Sequence, residues 1–166
     1  MVTIVPILAW ALAVLAAAAD IARAPQPRGR ALICDRLLRW IFFFPLGLMG
    51  LWGFLGHVFF AAQAAASIGW QPSPFQFEVG MANLGIGLAA AIGAFMGNTF
   101  RLGVNIVAAG FLWGAAAGHV RQMIDAGNFA PGNAGPIFYT DILTPLAVFI
   151  LLWMTHDQRR IDNRRP

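Results

Sequence analysis

Leu51-Trp52-Gly53-Phe54-Leu55-Gly56-His57-Val58 returns, one residue longer, as Leu112-Trp113-Gly114-Ala115-Ala116-Ala117-Gly118-His119-Val120. Each copy opens on Leu-Trp-Gly and closes on Gly-His-Val. The echo continues downstream. Pro74-Phe75-Gln76-Phe77-Glu78 answers Pro136-Ile137-Phe138-Tyr139-Thr140-Asp141, so His57 precedes Glu78 by 21 residues and His119 precedes Asp141 by 22. Each half reads as an outgoing helix with a late histidine, a loop of Gly, Pro and Asn, and a returning helix with an early acid. A hairpin made twice from the same side is a parallel repeat, and in a membrane its pseudo-axis lies along the bilayer normal.

The composition places those hairpins in lipid. Of 166 residues, 59% are hydrophobic and 11% charged, and the mean hydropathy is +0.69. Soluble domains carry roughly a quarter charged residues, so an ordinary soluble enzyme and a disordered tail are both excluded. A bilayer core needs about 20 apolar residues per helix. Five runs qualify: 2–19, 40–66, 79–97, 102–120 and 137–155. The first is read as a retained span, because its leading residues lack the Arg or Lys of a secretory signal. The expected fold is therefore all-α: one membrane domain, a polytopic transmembrane bundle of five spans whose last four form two similar helical hairpins.

The basic residues set the orientation. There are eleven arginines, no lysine and seven acids, a net charge of +4. Arg23, Arg28, Arg30, Arg36 and Arg39 fall in the linker 20–39, Arg101 in the tight turn Asn98-Thr99-Phe100-Arg101, and Arg159, Arg160, Arg164 and Arg165 in the tail 156–166. Ten of eleven thus share one side of a five-span chain. The positive-inside rule makes that side cytoplasmic and puts the N-terminus outside. Arg121 alone dissents, with Asp125 placed to pair with it one helical turn on. Arginines flanking apolar runs mark a membrane face that attracts anionic lipid, not a nucleic-acid groove. Cys34, the single cysteine, excludes a disulfide framework and is read as a reduced structural residue.

The candidate site follows from the repeat. Arg39 to His57 and Arg101 to His119 are both 18 residues, which lifts each imidazole roughly 27 Å above its arginine. Glu78 and Asp141 re-enter the membrane at that same outer level. The stripes Gly50/Gly53/His57, Ala108/Ala115/Ala116/His119 and Gly85/Ala89/Gly93/Gly97 suggest that all four groups face tightly packed neighbours. His57, Glu78, His119 and Asp141 are then a candidate ligand set for Fe, Mn or Zn, or for haem through the two imidazoles. The competing expectation is structural. The histidines and acids would lock each hairpin, Ser73-Pro74-Phe75-Gln76 would act as a capping box, and Thr140 would cap a helix starting at Asp141. A third expectation, a solute or proton path, needs a polar line through Asn83, Asn98, Asn105, Gln63 and Gln122. The loop from Asn128 to Pro136 is placed as a lid over the cluster.

Gly56-His57-Val58-Phe59-Phe60, Ile68-Gly69-Trp70-Gln71-Pro72-Ser73-Pro74-Phe75-Gln76-Phe77-Glu78-Val79-Gly80 and Asn83-Leu84-Gly85 resemble a family of small bacterial integral membrane proteins of unknown function. The resemblance runs on through Gly118-His119 to Asn133-Ala134-Gly135-Pro136 and Asp141, covering roughly residues 40–152. It implies a helical protein of the bacterial plasma (inner) membrane and no particular activity. By architecture alone, small four-span families associated with redox complexes are also similar. The expected function is a non-enzymatic membrane component, standing alone, as a homo-oligomer or as an accessory subunit of a membrane complex. The alternatives are a metal- or haem-binding redox protein and a small transporter.

Overall fold

The computed structural model describes residues 3–162, with side chains described from Thr3 to Thr155. Among the described residues every regular element is helical: α1 (Ile4–Arg23), α2 (Arg30–Ile41), α3 (Met49–Phe59), α4 (Ala61–Ile68), α5 (Phe75–Gly93), α6 (Asn98–Ala126) and α7 (Pro136–Asp162). A π-helical segment, Phe42–Leu48, joins α2 to α3. Pro45 lies inside it and has no N–H for the helical ladder, which is one way such a wider turn arises. Five helical stretches are long and apolar enough to cross a membrane: Ile4–Arg23, Arg30–Phe59, Phe75–Gly93, Asn98–Ala126 and Pro136–Thr155.

The expected five spans are present with shifted ends. The second begins near Arg30 and stops at Phe60, where φ −127° and ψ 38° break the helix and turn α4 aside. The turn between the third and fourth spans is residues 94–97, so Arg101 sits in the first turns of α6 and not in a loop. Apolar content marks the stretch inside lipid, whereas the helix runs on through polar residues at either end. The side chains of His156 and of Arg159, Arg160, Arg164 and Arg165 lie outside the described residues.

The bundle is apolar outside and small inside. Ile124 is 76% exposed, Trp153 67% and Leu15 66%, whereas Ala90, Ala94 and Ala108 are fully buried. In water such a surface would drive aggregation. Against acyl chains it costs nothing, and close packing of small residues supplies the association. On α1 the buried stripe is Pro6, Ala9, Ala13 and Ala17.

The α3–α5 seam shows the closest approach. A Cβ on Gly50 would lie 2.7 Å from Gly87 Cα, and one on Gly87 would lie 2.8 Å from Leu51 N. The buried face of α5 is Gln76, Gly80, Gly87, Ala90 and Gly93, so of the expected stripe only Gly93 is buried, whereas Gly85 and, beyond the helix, Gly97 face open space. The expected stripe Gly85/Ala89/Gly93/Gly97 is misphased. A step of four residues turns 400° in a helix and drifts 40° each time, whereas a step of seven drifts only about 20°. Glu78 shares the face of Gly85, and it goes outward with it.

The bundle is layered from one end to the other. One end carries arginines. The middle is an apolar core of Ala13, Leu38, Phe42, Ala90, Ala108, Val148 and their neighbours. The other end encloses a chamber between the two hairpins.

Candidate functional site

The chamber has a volume of about 510 Å³ and is walled by α1, the π segment, α3, α4, α5, α6, α7 and the loops that follow α4 and α6. That volume lies within the range of small-molecule sites. Most of its wall is carbon, with Trp10, Trp52, Trp70 and Phe111 among the large surfaces. Its polar groups include His57, His119, Asp141, Asn83, Thr140 and Thr144. The two histidines of the repeated motif thus meet at one cavity, as their matched register requires.

His119 is held on every side. It is 6% exposed, with Trp70 at 6.0 Å and Phe138 at 6.4 Å between ring centroids. Its Nδ1 lies 2.7 Å from Asn133 Oδ1. Asn133 is itself fully buried, and its Nδ2 donates to the carbonyls of Asn128 at 2.9 Å and His119 at 3.2 Å. Both amide hydrogens are therefore engaged, and the oxygen facing the imidazole can only accept. Nδ1 must carry the proton, which leaves Nε2 with a free lone pair in the neutral ring. Nε2 lies 3.8 Å from Asp141 Oδ2, too far for a direct hydrogen bond and suited to a bridging group.

His57 repeats the arrangement with different residues. Its Nδ1 pairs with Gln76 Oε1, and the Gln76 side chain is buried from the start of α5. Again an amide oxygen faces Nδ1, and Nε2 has no hydrogen-bond partner. Nothing in residue spacing equates Gln76 with Asn133, which follow their histidines by 19 and 14 residues. What identifies them is a buried side-chain amide next to an imidazole, visible only once the loops are folded.

The expected four-group layer does not form. Glu78 is exposed, for the helical-phase reason given above. Among the described residues, no three His, Cys, Asp or Glu side chains gather closely enough to hold a metal ion. The expected capping box is absent as well. α5 starts at Phe75 without a side-chain cap, because Gln76 turns to His57. α7 starts at Pro136, a residue suited to a first helical position, so Thr140 is inside the helix and donates to Ile137 O. The polar line to the arginine end is interrupted. Asn105 donates to Pro145 O at 3.2 Å and Asn98 to Thr155 Oγ1 at 2.9 Å, both bonds between helices.

The loop between α6 and α7 roofs the chamber, with Gly132 in its wall. It is tied to the other hairpin: Asn128 Nδ2 donates to Ile68 O and Gly132 N donates to Ser67 O, both at 2.9 Å. Gly69, at φ +77°, allows the chain to turn just beneath Asn128.

At the opposite end Arg101 is 2% exposed. Its Nε donates to Gly93 O and its Nη2 to Ala94 O, both at 2.9 Å. Its Nη1 meets Asp35 Oδ1 at 2.8 Å. The guanidinium thereby satisfies the carbonyls that end α5, where a cation is also favoured by the helix dipole. Asp20 lies 3.5 Å from Arg36 Nε and 3.3 Å from Arg39 Nη1, and it accepts from Trp40 Nε1 at 3.2 Å. Arg121 and Asp125, at the chamber end, pair at 3.1 Å as their spacing suggests.

The chain matches no curated protein and no solved structure. A family model does match, over residues 3–161. The chain belongs to that family, DUF6790, a family of unknown function.

Proposed function

We propose that this protein is a non-enzymatic membrane component that binds a small, uncharged, hydroxyl-bearing molecule in the chamber between its two hairpins. One observation carries the reading: each repeated histidine is clamped at Nδ1 by a buried amide, while both rings border one cavity. Two open imidazole acceptors over aromatic walls call for a ligand that donates hydrogen bonds. Each such bond contributes about 1 kcal/mol, or roughly tenfold or less in affinity.

The test is a tryptophan fluorescence titration of the purified protein with hydroquinone, since Trp10, Trp52 and Trp70 border the chamber. Saturable quenching, weakened five- to tenfold in both His57→Gln and His119→Gln, is expected. Identical titrations in all three proteins would refute the reading.

A second reading rests on the His119–Asp141 pair. Its 3.8 Å gap could close around Fe, Mn or Zn, with Asn133 fixing the tautomer as outer ligands do at metal sites. Haem would instead need both imidazoles on one iron. Stoichiometric metal or haem in the purified protein, lost in His119→Ala, would favour this reading over the first.

For orientation, the arginines at the end opposite the chamber support a cytoplasmic assignment; on that reading the chamber lies in the outer leaflet of a bacterial inner membrane. Whether the protein works alone, as a homo-oligomer or as an accessory subunit is answered by its native mass.

A further inference from the structure

A second cavity, of about 540 Å³, lies between α1 and α7. Its wall is almost wholly carbon, and much of it comes from Ile7, Leu143, Leu146 and Ile150, all between 44% and 55% exposed on the outer surface of the bundle. Trp10 and Thr140 belong to the walls of both cavities. The partition between them is thin, and the Trp10 Nε1 to Thr144 Oγ1 bond at 3.3 Å spans it. A chamber that carries the polar groups and an almost purely apolar sleeve therefore adjoin, and the sleeve opens on the outer surface of the bundle. A water-soluble ligand has no use for such a side opening. An amphiphile does, because its tail stays in hydrocarbon while its head leaves it.

We infer that the ligand is a single-tailed neutral amphiphile with a hydroxylated head, entering from the bilayer between α1 and α7. Its head donates to the free Nε2 atoms of His57 and His119, and its tail lies against Leu143, Leu146, Ala147 and Ile150. This rests on the chamber reading and adds the ligand class and route. A monoacylglycerol and an alkylhydroquinone share the required chemistry.

The test uses the full chain in detergent with a monoacylglycerol bearing a diazirine at the tail end. Saturable labelling of α7 at Leu146 to Ile150 is expected, and Ala147→Phe, which fills the sleeve, should reduce it at least tenfold. Competition by excess monoacylglycerol or by decylhydroquinone identifies which head is preferred. Hydroquinone without a tail should bind wild type and Ala147→Phe equally. If labelling spreads evenly over the lipid-facing helices and ignores Ala147→Phe while hydroquinone still binds, the sleeve holds annular lipid only. That outcome overturns this inference and leaves the chamber intact. If hydroquinone does not bind either protein, the chamber reading falls and the route falls with it.

Discussion

The two ends of the bundle treat buried polar groups in opposite ways. At the arginine end, Arg101 meets two carbonyls, Asp35 and Asn98, and Asp20 gathers Arg36, Arg39 and Trp40. Opposite charges there lie a few ångströms apart, although the buried Nε atoms of Arg36 and Arg39 have no hydrogen-bond partner. At the chamber end, two imidazoles are fixed through one nitrogen each while the other has no hydrogen-bond partner. Unpaired polar groups are expensive in a low-dielectric interior. The ion-paired end reads as architecture and the chamber end as a site. Both ends carry ionisable residues, and the difference lies in what faces them: carboxylates at the arginine end and a cavity at the chamber end.

Substitutions that remove a buried partner should cost the most stability. Arg101→Ala strands the carbonyls of Gly93 and Ala94, and should destabilise by about 2–3 kcal/mol, the range for leaving buried acceptors unpaired; Asp35, partly exposed, keeps Arg36 and Arg39 as neighbours. A thermal unfolding midpoint in detergent unchanged from wild type would show that the guanidinium is dispensable. Next, Asn133→Ala removes three buried hydrogen bonds and unpins the roof, at about 2 kcal/mol. It should also weaken hydroquinone binding, linking the loop to the site. Gly87→Val pushes a side chain onto the backbone of Gly47 and Leu51 and should cost a similar 1–3 kcal/mol, roughly, by overpacking, with the α3–α5 seam sprung apart. His119→Gln should cost about 1 kcal/mol through the lost Nδ1 bond to Asn133, while the loss of its free Nε2 should act on binding. Glu78→Gln should change stability by less than about 0.5 kcal/mol, as for other exposed positions, and leave hydroquinone binding untouched.

Much of this is legible in the residues before folding. Apolar runs of sufficient length mark the spans, and the Leu-Trp-Gly…Gly-His-Val echo pairs the helices into hairpins and brings His57 and His119 to one cavity. Two things are not legible. The face of α5 depends on whether its small residues are counted in fours or sevens, and a helix low in polar residues carries signals for both. That choice decides whether Glu78 points inward. The partners of the histidines, Gln76 and Asn133, depend on how the loops at the chamber end fold back, and no spacing rule reaches across Phe60 or the turn at Gly127. Arg101 shows the same limit: an arginine beside a turn reads as a topological charge until its donors are seen on the carbonyls of α5.

The account turns on the state of the two rings. Nitrogen-15 NMR of ring-labelled histidine in the empty protein, assigned with His57→Gln and His119→Gln, reports which ring nitrogen carries the proton. Both signals should show a protonated Nδ1 and a bare Nε2 at neutral pH, with each Nε2 shifting when hydroquinone is added. A proton on Nε2 with Nδ1 bare in either ring, or shifts indifferent to hydroquinone, would contradict it.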